Sequence, residues 1–401
     1  MNIHEYQTKK LFKQYGLRIP CGVVAYTPNE AVVGAKKISE KGPWVVKAQI
    51  QAGSRDGGTF SDKRAGKKGG IRLSKTIDEV LNNADSMLEN MLITNQTGNK
   101  GRLVSRVYIE EYVKTVRKFY ISLVIDWVSA GVFLLAIPVI EKNEDSKSLL
   151  LDKSSDILKL NLGTQTEITK EQVDELVNFM GEPFEHKELK SFINKLIKLF
   201  HDYDATLIEL NPIGVNKKGE IWALDAKMCF DANALHKHKD IIDLTDDAEI
   251  EERELIASKY GFQYKELNSG IGIIVNGDGV AINMINEAKN IGIDTACFLN
   301  LKGGVDRDKI TASIKLIMTN PKVDGIFINI LGGFLRCNLI ADGIIAVAND
   351  LGLNIPLVVR FEGTNKDDAT EILLNSKLPL QIANDTTSGL CMLKKAVEED
   401  F

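Results

Sequence analysis

Asn211 and Asp225 are the two residues of this chain best placed to do chemistry together. Each sits in a short apolar run, Leu207-Ile208-Glu209-Leu210-Asn211-Pro212 and Trp222-Ala223-Leu224-Asp225-Ala226-Lys227, and Asn216-Lys217-Lys218-Gly219 lies between them. That tetrapeptide has turn chemistry, with a glycine to supply positive φ, and apolar runs on both sides of it predict a β-hairpin. Folding about Lys217–Lys218 brings Asn211 and Asp225 nearly opposite each other, offset by one residue. An amide oxygen and a carboxylate on rigid strands are hard ligands of the kind Mg²⁺ accepts alongside phosphates and waters. A structural hydrogen bond between an Asp and an amide at a hairpin end uses the same residues. The hairpin alone leaves both readings open.

Other residues suit anions. Lys47 ends the apolar run Trp44-Val45-Val46 and offers a point charge to a phosphate, although a solvated strand end uses the same residue. Residues 53–70 hold six glycines among basic side chains, which predicts a mobile loop whose amides can close over phosphates. Flexible surface loops share that composition. Further along, Val275-Asn276-Gly277-Asp278-Gly279 follows a predicted strand and precedes a predicted helix, where open α/β sheets bind ligands. Asn276 offers both a donor and an acceptor there; a tight turn with no ligand is the alternative. Asn329-Ile330-Leu331-Gly332-Gly333-Phe334-Leu335-Arg336 takes an apolar strand through paired glycines into a helix, whose free amides and dipole favour an anion.

These groups need elements to hold them. Tyr6, Leu11, Phe12 and Tyr15 have helical spacing and stop at Gly16. Val23–Tyr26, Trp44–Ile50, Val104–Glu110, Phe119–Ile125 and Gly131–Ile140 read as strands, with an Ala-rich helix near 29–40 and a polar exposed connection at 141–156. Asp240–Glu254 is acidic and breaks the strand pattern. Beyond it, Ile271–Asn276, Thr295–Leu299, Gly325–Ile330 and Leu357–Phe361 are continuous apolar strands alternating with helical stretches, which implies a parallel sheet covered on both faces. The architecture expected is an α+β domain over 1–240 and a doubly wound α/β domain over 241–401.

Composition narrows the class. The 401 residues allow two or three domains, and 44% hydrophobic with 26% charged residues is ordinary for a soluble globular protein. A net charge of −5 gives no electrostatic case for nucleic acid or an anionic membrane. The N-terminal stretch is polar within seven residues, and no apolar run reaches the length of a membrane span. Five scattered cysteines without a Cys-x-x-Cys pair suit reduced thiols and argue against zinc or a disulfide framework.

Met1-Asn2-Ile3-His4-Glu5-Tyr6-Gln7, Trp44-Val45-Val46-Lys47-Ala48-Gln49-Ile50, Ile208-Glu209-Leu210-Asn211-Pro212 and Gly332-Gly333-Phe334-Leu335-Arg336-Cys337 occur in the order and at the spacing of one family. From end to end the chain resembles the β subunit of succinate–CoA ligase (succinyl-CoA synthetase), within the ADP/GDP-forming acyl-CoA ligases. The resemblance implies an N-terminal ATP-grasp domain and a flavodoxin-like CoA-ligase domain. It implies a tricarboxylic-acid-cycle ligase that interconverts succinyl-CoA, nucleoside diphosphate and phosphate with succinate, CoA and the triphosphate, ADP-forming in preference to GDP-forming.

It also implies that Lys47, Ser54, Arg55, Asp56, Glu110, Val113 and Lys118 occupy nucleotide positions, that Asn211 and Asp225 hold Mg²⁺, and that Glu209 orients a partner's histidine. Asn276, Gly333, Phe334 and Leu335 would meet the substrate carboxylate and a phosphohistidine loop. None of His4, His186, His201, His236 and His238 lies in a glycine-rich turn, and in the family the phosphorylated histidine and the main CoA site belong to an α subunit. The chain is thus expected to work as half of a heterodimer or heterotetramer, in the cytoplasm or a mitochondrial matrix, on succinate or a related C4 acid.

Departures from the family pattern stand beside this. Ser54, Asp56 and Lys302 replace glycines, Lys118 replaces a Glu, Asn300 and Asn338 replace Asp, and Asp126-Trp127 replaces Asp-Arg. Two alternatives follow: a subunit that keeps the α interface but binds nucleotide weakly or not at all, and a malate–CoA ligase β subunit on the same scaffold.

Overall fold

Two compact units, Met1–Glu249 and Ile250–Phe401, make up the chain. The computed structural model describes residues 1–126, 128–139, 157–181, 185–302, 306–333, 335–352 and 354–399. Trp127, the connection 141–156, Gly303-Gly304 and Phe334 lie outside the described residues.

In the first unit the helix Glu5–Gln14 forms where the periodicity predicts it and ends in Tyr15-Gly16. Its buried face carries Glu5, Thr8, Lys9 and Phe12. The strands Gly22–Ala25, Val107–Glu111, Trp44–Ala48 and Ile71–Ser74 lie side by side in that order, all antiparallel. The helices Pro28–Ile38 and Ile77–Met87, each capped by a threonine hydroxyl, cover this sheet. A larger antiparallel sheet runs Leu158–Gly163, Gly131–Pro138, Arg117–Asp126, Ala205–Val215, Ile221–Ala223, and Lys227–Phe230 also pairs with Ala205–Val215. Its core is completed by Leu189, Ile193, Leu196 and Phe200 of the helix His186–Asp202. The helix Lys170–Met180 precedes it and packs beside it.

Residues 53–70 differ from the mobile loop expected. Thr59–Phe60 joins a small sheet, Lys63–Ala65 forms a helical turn, and the Arg55 carbonyl accepts from Gly58 and Gly70 amides. Residues 240–249 pack on the first unit: Asp246 takes bonds from His4 Nε2 (2.8 Å) and Arg106 (2.6 Å), and the Leu244 carbonyl accepts from Gln7.

In the second unit the parallel strands run Thr295–Asn300, Gly270–Val275, Val323–Gly332, Leu357–Gly363, Leu380–Ile382, with Gln263–Glu266 as an antiparallel edge. Val323–Gly332 sends Phe327 to one face and Ile326, Ile328 and Ile330 to the other. The helices Asp278–Ile291 and Thr386–Glu398 cover the first face; Arg307–Met318, Cys337–Leu351 and Lys366–Asn375 cover the second. This is the doubly wound arrangement that the apolar strands predict. The strand order reverses between Gly270–Val275 and Val323–Gly332, so the crevice at their carboxyl ends is the place where such sheets take ligands.

The His4–Asp246–Arg106 contact makes a pH-dependent prediction. Burial holds the His4 imidazole below its ordinary value, against the Asp246 bond. A histidine whose folded value lies below its unfolded one binds more protons when unfolded, so stability is lost as pH falls below about 6.5. The melting temperature of the chain should drop between about pH 7.5 and 5.5, and His4→Gln should make that slope shallower; circular dichroism melts at several pH values measure both.

Candidate active site

The hairpin forms, with Ile213 opposite Ala223 and Val215 opposite Ile221. Its turn is one residue longer than read from the sequence. Asn216 pairs with Glu220 through the backbone, and its side-chain oxygen accepts from the Lys218 and Glu220 amides. Gly219 supplies the positive φ of 75°. The longer turn removes the expected one-residue offset. The register is the same on both sides of the gap, Ile213 opposite Ala223 and Glu209 opposite Lys227, so Asn211 faces Asp225 directly.

Asn211 and Asp225 open onto a cavity of about 720 Å³ in the first unit. Lys47, Ser54, Arg55, Asp56, Glu110, Val113, Lys118, Glu209, Asn211 and Asp225, all the residues singled out in this unit, line it. The volume suits a nucleotide-sized molecule. Glu209 reaches it from the Ala205–Val215 strand; burial and this carboxylate push the Tyr120 hydroxyl up to about 12. Lys118 reaches it from the neighbouring strand, opposite Gly214.

Beneath the cavity lies a network that the sequence did not reveal. Lys47 is almost wholly buried and its ammonium contacts Glu5 (2.7 Å), Glu110 and the Leu224 carbonyl (2.6 Å). Lys9 uses the same three acceptors: Glu110 at 2.5 Å, Glu5 at 2.9 Å and Leu224 O at 2.7 Å. Arg55 bonds Glu5 (2.7 Å), Asp225 (2.8 Å) and the Ala48 carbonyl (2.9 Å). Lys47 is therefore a buried ion-pair partner and not a solvated strand end, and Arg55 is an anchor of its loop. Burial pushes the Glu5 carboxyl up, but Lys47, Lys9 and Arg55 together hold it well below the usual carboxylate range. Burial also pushes Glu110 up against the pull of Lys47 and Lys9, which place an ammonium on each of its oxygens. Three carboxylates face three cations. Glu5 and Lys9 were legible in one respect only: their spacing is in phase with buried Phe12, so both lie on the apolar face of their helix.

Asn211 and Asp225 supply one amide and one carboxylate oxygen, and no group of three or more acidic, His or Cys ligands occurs among the described residues. Mg²⁺ keeps waters and phosphate oxygens when one or two protein oxygens bind it, so this pair fits an ion carried in with a nucleotide.

The second unit brings Asn276 to the crevice at the strand ends, but its amide is in use. It donates to the Leu331 carbonyl (2.8 Å) and accepts from the Leu331 amide (2.9 Å), as an extra strand residue would. The expectations for Gly333 and Leu335 change. The helix begins at Cys337, whose amide donates to Thr364 O, so Gly333 lies outside its first turn, and a Cβ there would meet nothing within 4 Å. Leu335 is buried in the apolar core. The crowded glycines are Gly332 and Gly363: at Gly363, φ is 102° and a Cβ would lie 1.9 Å from the Gly332 carbonyl oxygen.

The structure also explains a departure. Asn300 donates to Asp278 (2.7 Å) and accepts from the Lys302 amide. An Asp at 300 would set two carboxylates against each other. Lys302 (φ 56°) and Ser54 (φ 63°) have left-handed backbone, the region that favours glycine.

The ATP-grasp domain family matches residues 2–215 and the CoA-ligase family matches residues 274–390. The succinate–CoA ligase [ADP-forming] subunit β of Paramagnetospirillum magneticum is 40% identical, and that of Macrococcus caseolyticus 39%, each over the whole of both chains. An ATP citrate lyase from Methanothrix soehngenii superposes with a TM-score of 0.66 at 14% identity, covering 98% of this chain and 99% of the other, a likeness of fold. The chain belongs to the family of ADP-forming succinate–CoA ligase β subunits, ligases built from an ATP-grasp and a CoA-ligase domain.

The Asn300–Asp278 pair gives a prediction. Asn300→Asp should destabilise the second unit by about 1 kcal/mol or more, and Asp278→Asn in the same chain should restore most of the loss. Chemical unfolding of the two single variants and the double variant measures the coupling.

Proposed function

We propose that the chain is the nucleotide-binding subunit of an ADP-forming succinate–CoA ligase. The observation that carries this reading is the gathering of Lys47, Arg55, Glu110, Asn211 and Asp225 around one nucleotide-sized cavity in a chain of this family. Lys47 and Arg55 face the phosphates of ATP or GTP. Asn211 and Asp225 hold Mg²⁺, which supplies charge neutralisation on the phosphates when bound. Glu110 and Val113 border the nucleoside side, and Glu209 orients an incoming histidine.

The nucleophile comes from outside. No histidine is among the cavity-lining residues, and His4 is buried against Asp246. We assign the phosphorylated histidine and the main CoA site to an α subunit, in a heterodimer or heterotetramer. Phosphate carried by that histidine then meets succinate at the crevice of the second unit, beside Asn276 and the Leu331–Gly333 backbone. Acyl phosphate forms there and CoA displaces phosphate, every step being reversible. Among the described residues no helix is long and apolar enough to cross a membrane, in keeping with a cytoplasmic enzyme. The relatives' naming favours succinate over malate and catalysis over a weakened subunit.

The test is reconstitution. The purified chain alone should make no acyl-CoA and take up no acid-labile phosphate from γ-labelled ATP. With a co-expressed α subunit, label should appear on that partner, and a coupled assay should give succinyl-CoA from succinate, ATP and CoA, with GTP and malate poorer. Stable label on a histidine of this chain would overturn the half-enzyme reading.

A second prediction concerns the metal ligands. Asp225→Ala should lower phosphorylation of the partner by on the order of a hundredfold or more while the complex still co-elutes in gel filtration.

A further inference from the structure

We infer that Lys9, a wholly buried residue that does not line the cavity, sets the charge of the phosphate site and is a positioning residue for Lys47. The inference rests on the nucleotide site proposed above. Lys47 alone is a poor attractor of anions, because two carboxylates, Glu5 and Glu110, already touch its ammonium. Without another cation, Glu5 and Glu110 would cancel Lys47 and Arg55. Lys9 is that other cation. Its side chain is 0% exposed, its three N–H donors are spent on Glu110, Glu5 and the Leu224 carbonyl, and the Tyr108 ring lies 5.5 Å away.

The count within the buried network sets the charge that this part of the wall presents. Glu5 and Glu110 stand against Lys9, Lys47 and Arg55, leaving one positive charge in excess, which Asp225 balances through Arg55. When Asp225 is drawn to a cation that arrives with the nucleotide, the excess is released toward the phosphates. In a site screened from water, one unit charge a short distance away is a large effect. Lys9 also fixes geometry, since it holds the Glu5 and Leu224 oxygens that orient the Lys47 ammonium and grips the other carboxylate oxygen of Glu110. A purely structural ion pair would affect folding without distinguishing charged from uncharged ligands.

That difference is the test. Isothermal calorimetry on the purified full chain, in Mg²⁺ buffer, compares ADP with adenosine. Lys9→Met, close in shape and uncharged, should weaken ADP by about tenfold or more while changing adenosine by less than about twofold. Equal losses for both ligands, or no loss for ADP, would overturn the proposal. Should Lys9→Met fail to fold, Glu5→Gln provides a test of opposite sign. It removes one negative charge while leaving Lys47 its Glu110 and Leu224 contacts and Arg55 its Ala48 and Asp225 contacts, so ADP should bind about threefold tighter or more. Unchanged or weaker ADP binding by Glu5→Gln would equally overturn it. Failure of the wild-type chain to bind ADP at all would instead count against the nucleotide site itself.

Discussion

Lys9 and Lys47 share three acceptors, the Glu5 and Glu110 carboxylates and the Leu224 carbonyl, and the first unit is organised around that sharing. One lysine comes from the first helix, the other from the four-stranded sheet, and the carbonyl from the hairpin of the larger sheet. Burying an ion costs several kcal/mol even after relaxation, so such a cluster survives only if every donor is met. Each ammonium has three N–H groups and three oxygens. The arrangement admits little slack: moving the helix, the strand or the hairpin separately would strand a charge. An apolar substitute would pack as well, but it would not leave Lys47, Arg55 and Asp225 at the wall of a cavity.

The constraint passes along the chain to the candidate metal ligands. Leu224, held by both ammonium groups, directly precedes Asp225, and the Leu224 and Asp225 amides both donate to the Pro212 carbonyl, next to Asn211. The strand pairing is interrupted at that point, between the paired segments Val215–Ile213 and Glu209–Leu207. An interruption frees the Asn211 and Asp225 side chains to face the cavity while the flanking register keeps them opposite each other.

How far the sequence reveals this depends on the kind of signal. The longer strands of both units are legible because alternation, continuous apolar runs and turn residues are local, whereas Ile71–Ser74, Leu158–Gly163, Gln263–Glu266 and Leu380–Ile382 are not. The hairpin was legible for the same reason, but the side chain of Asn216 captured Glu220 and lengthened the turn, which spacing alone did not disclose. The ionic cluster was nearly invisible. Glu5 and Lys9 share the phase of Phe12 but nothing local pairs them with Lys47, and Arg55 reads as a loop residue among glycines; their burial depends on strands far away in the chain. In the second unit the helix begins at Cys337 and not at Gly333, and it is Gly363 that must be small, because a Cβ there would strike the Gly332 carbonyl, a long-range reason.

The departures from the family pattern divide along physical lines. At Ser54 and Lys302 a left-handed backbone is held without glycine. That conformation costs an ordinary residue roughly 1–2 kcal/mol, so the surroundings must impose it; at Lys302 the Asn300 side chain does so by accepting from its amide. At Asn300 the lost carboxylate is matched by Asp278, with which it forms a hydrogen bond. These changes are absorbed locally and leave the scaffold in place. Asp56 and Lys118 are different, since both line the cavity and alter the charge that a nucleotide meets. Against the pattern that the sequence resemblance implies, they add one carboxylate and exchange another for an ammonium. The left-handed backbone at Ser54 and Lys302 is thus a matter of the scaffold, whereas Asp56 and Lys118 act on the charge of the cavity wall.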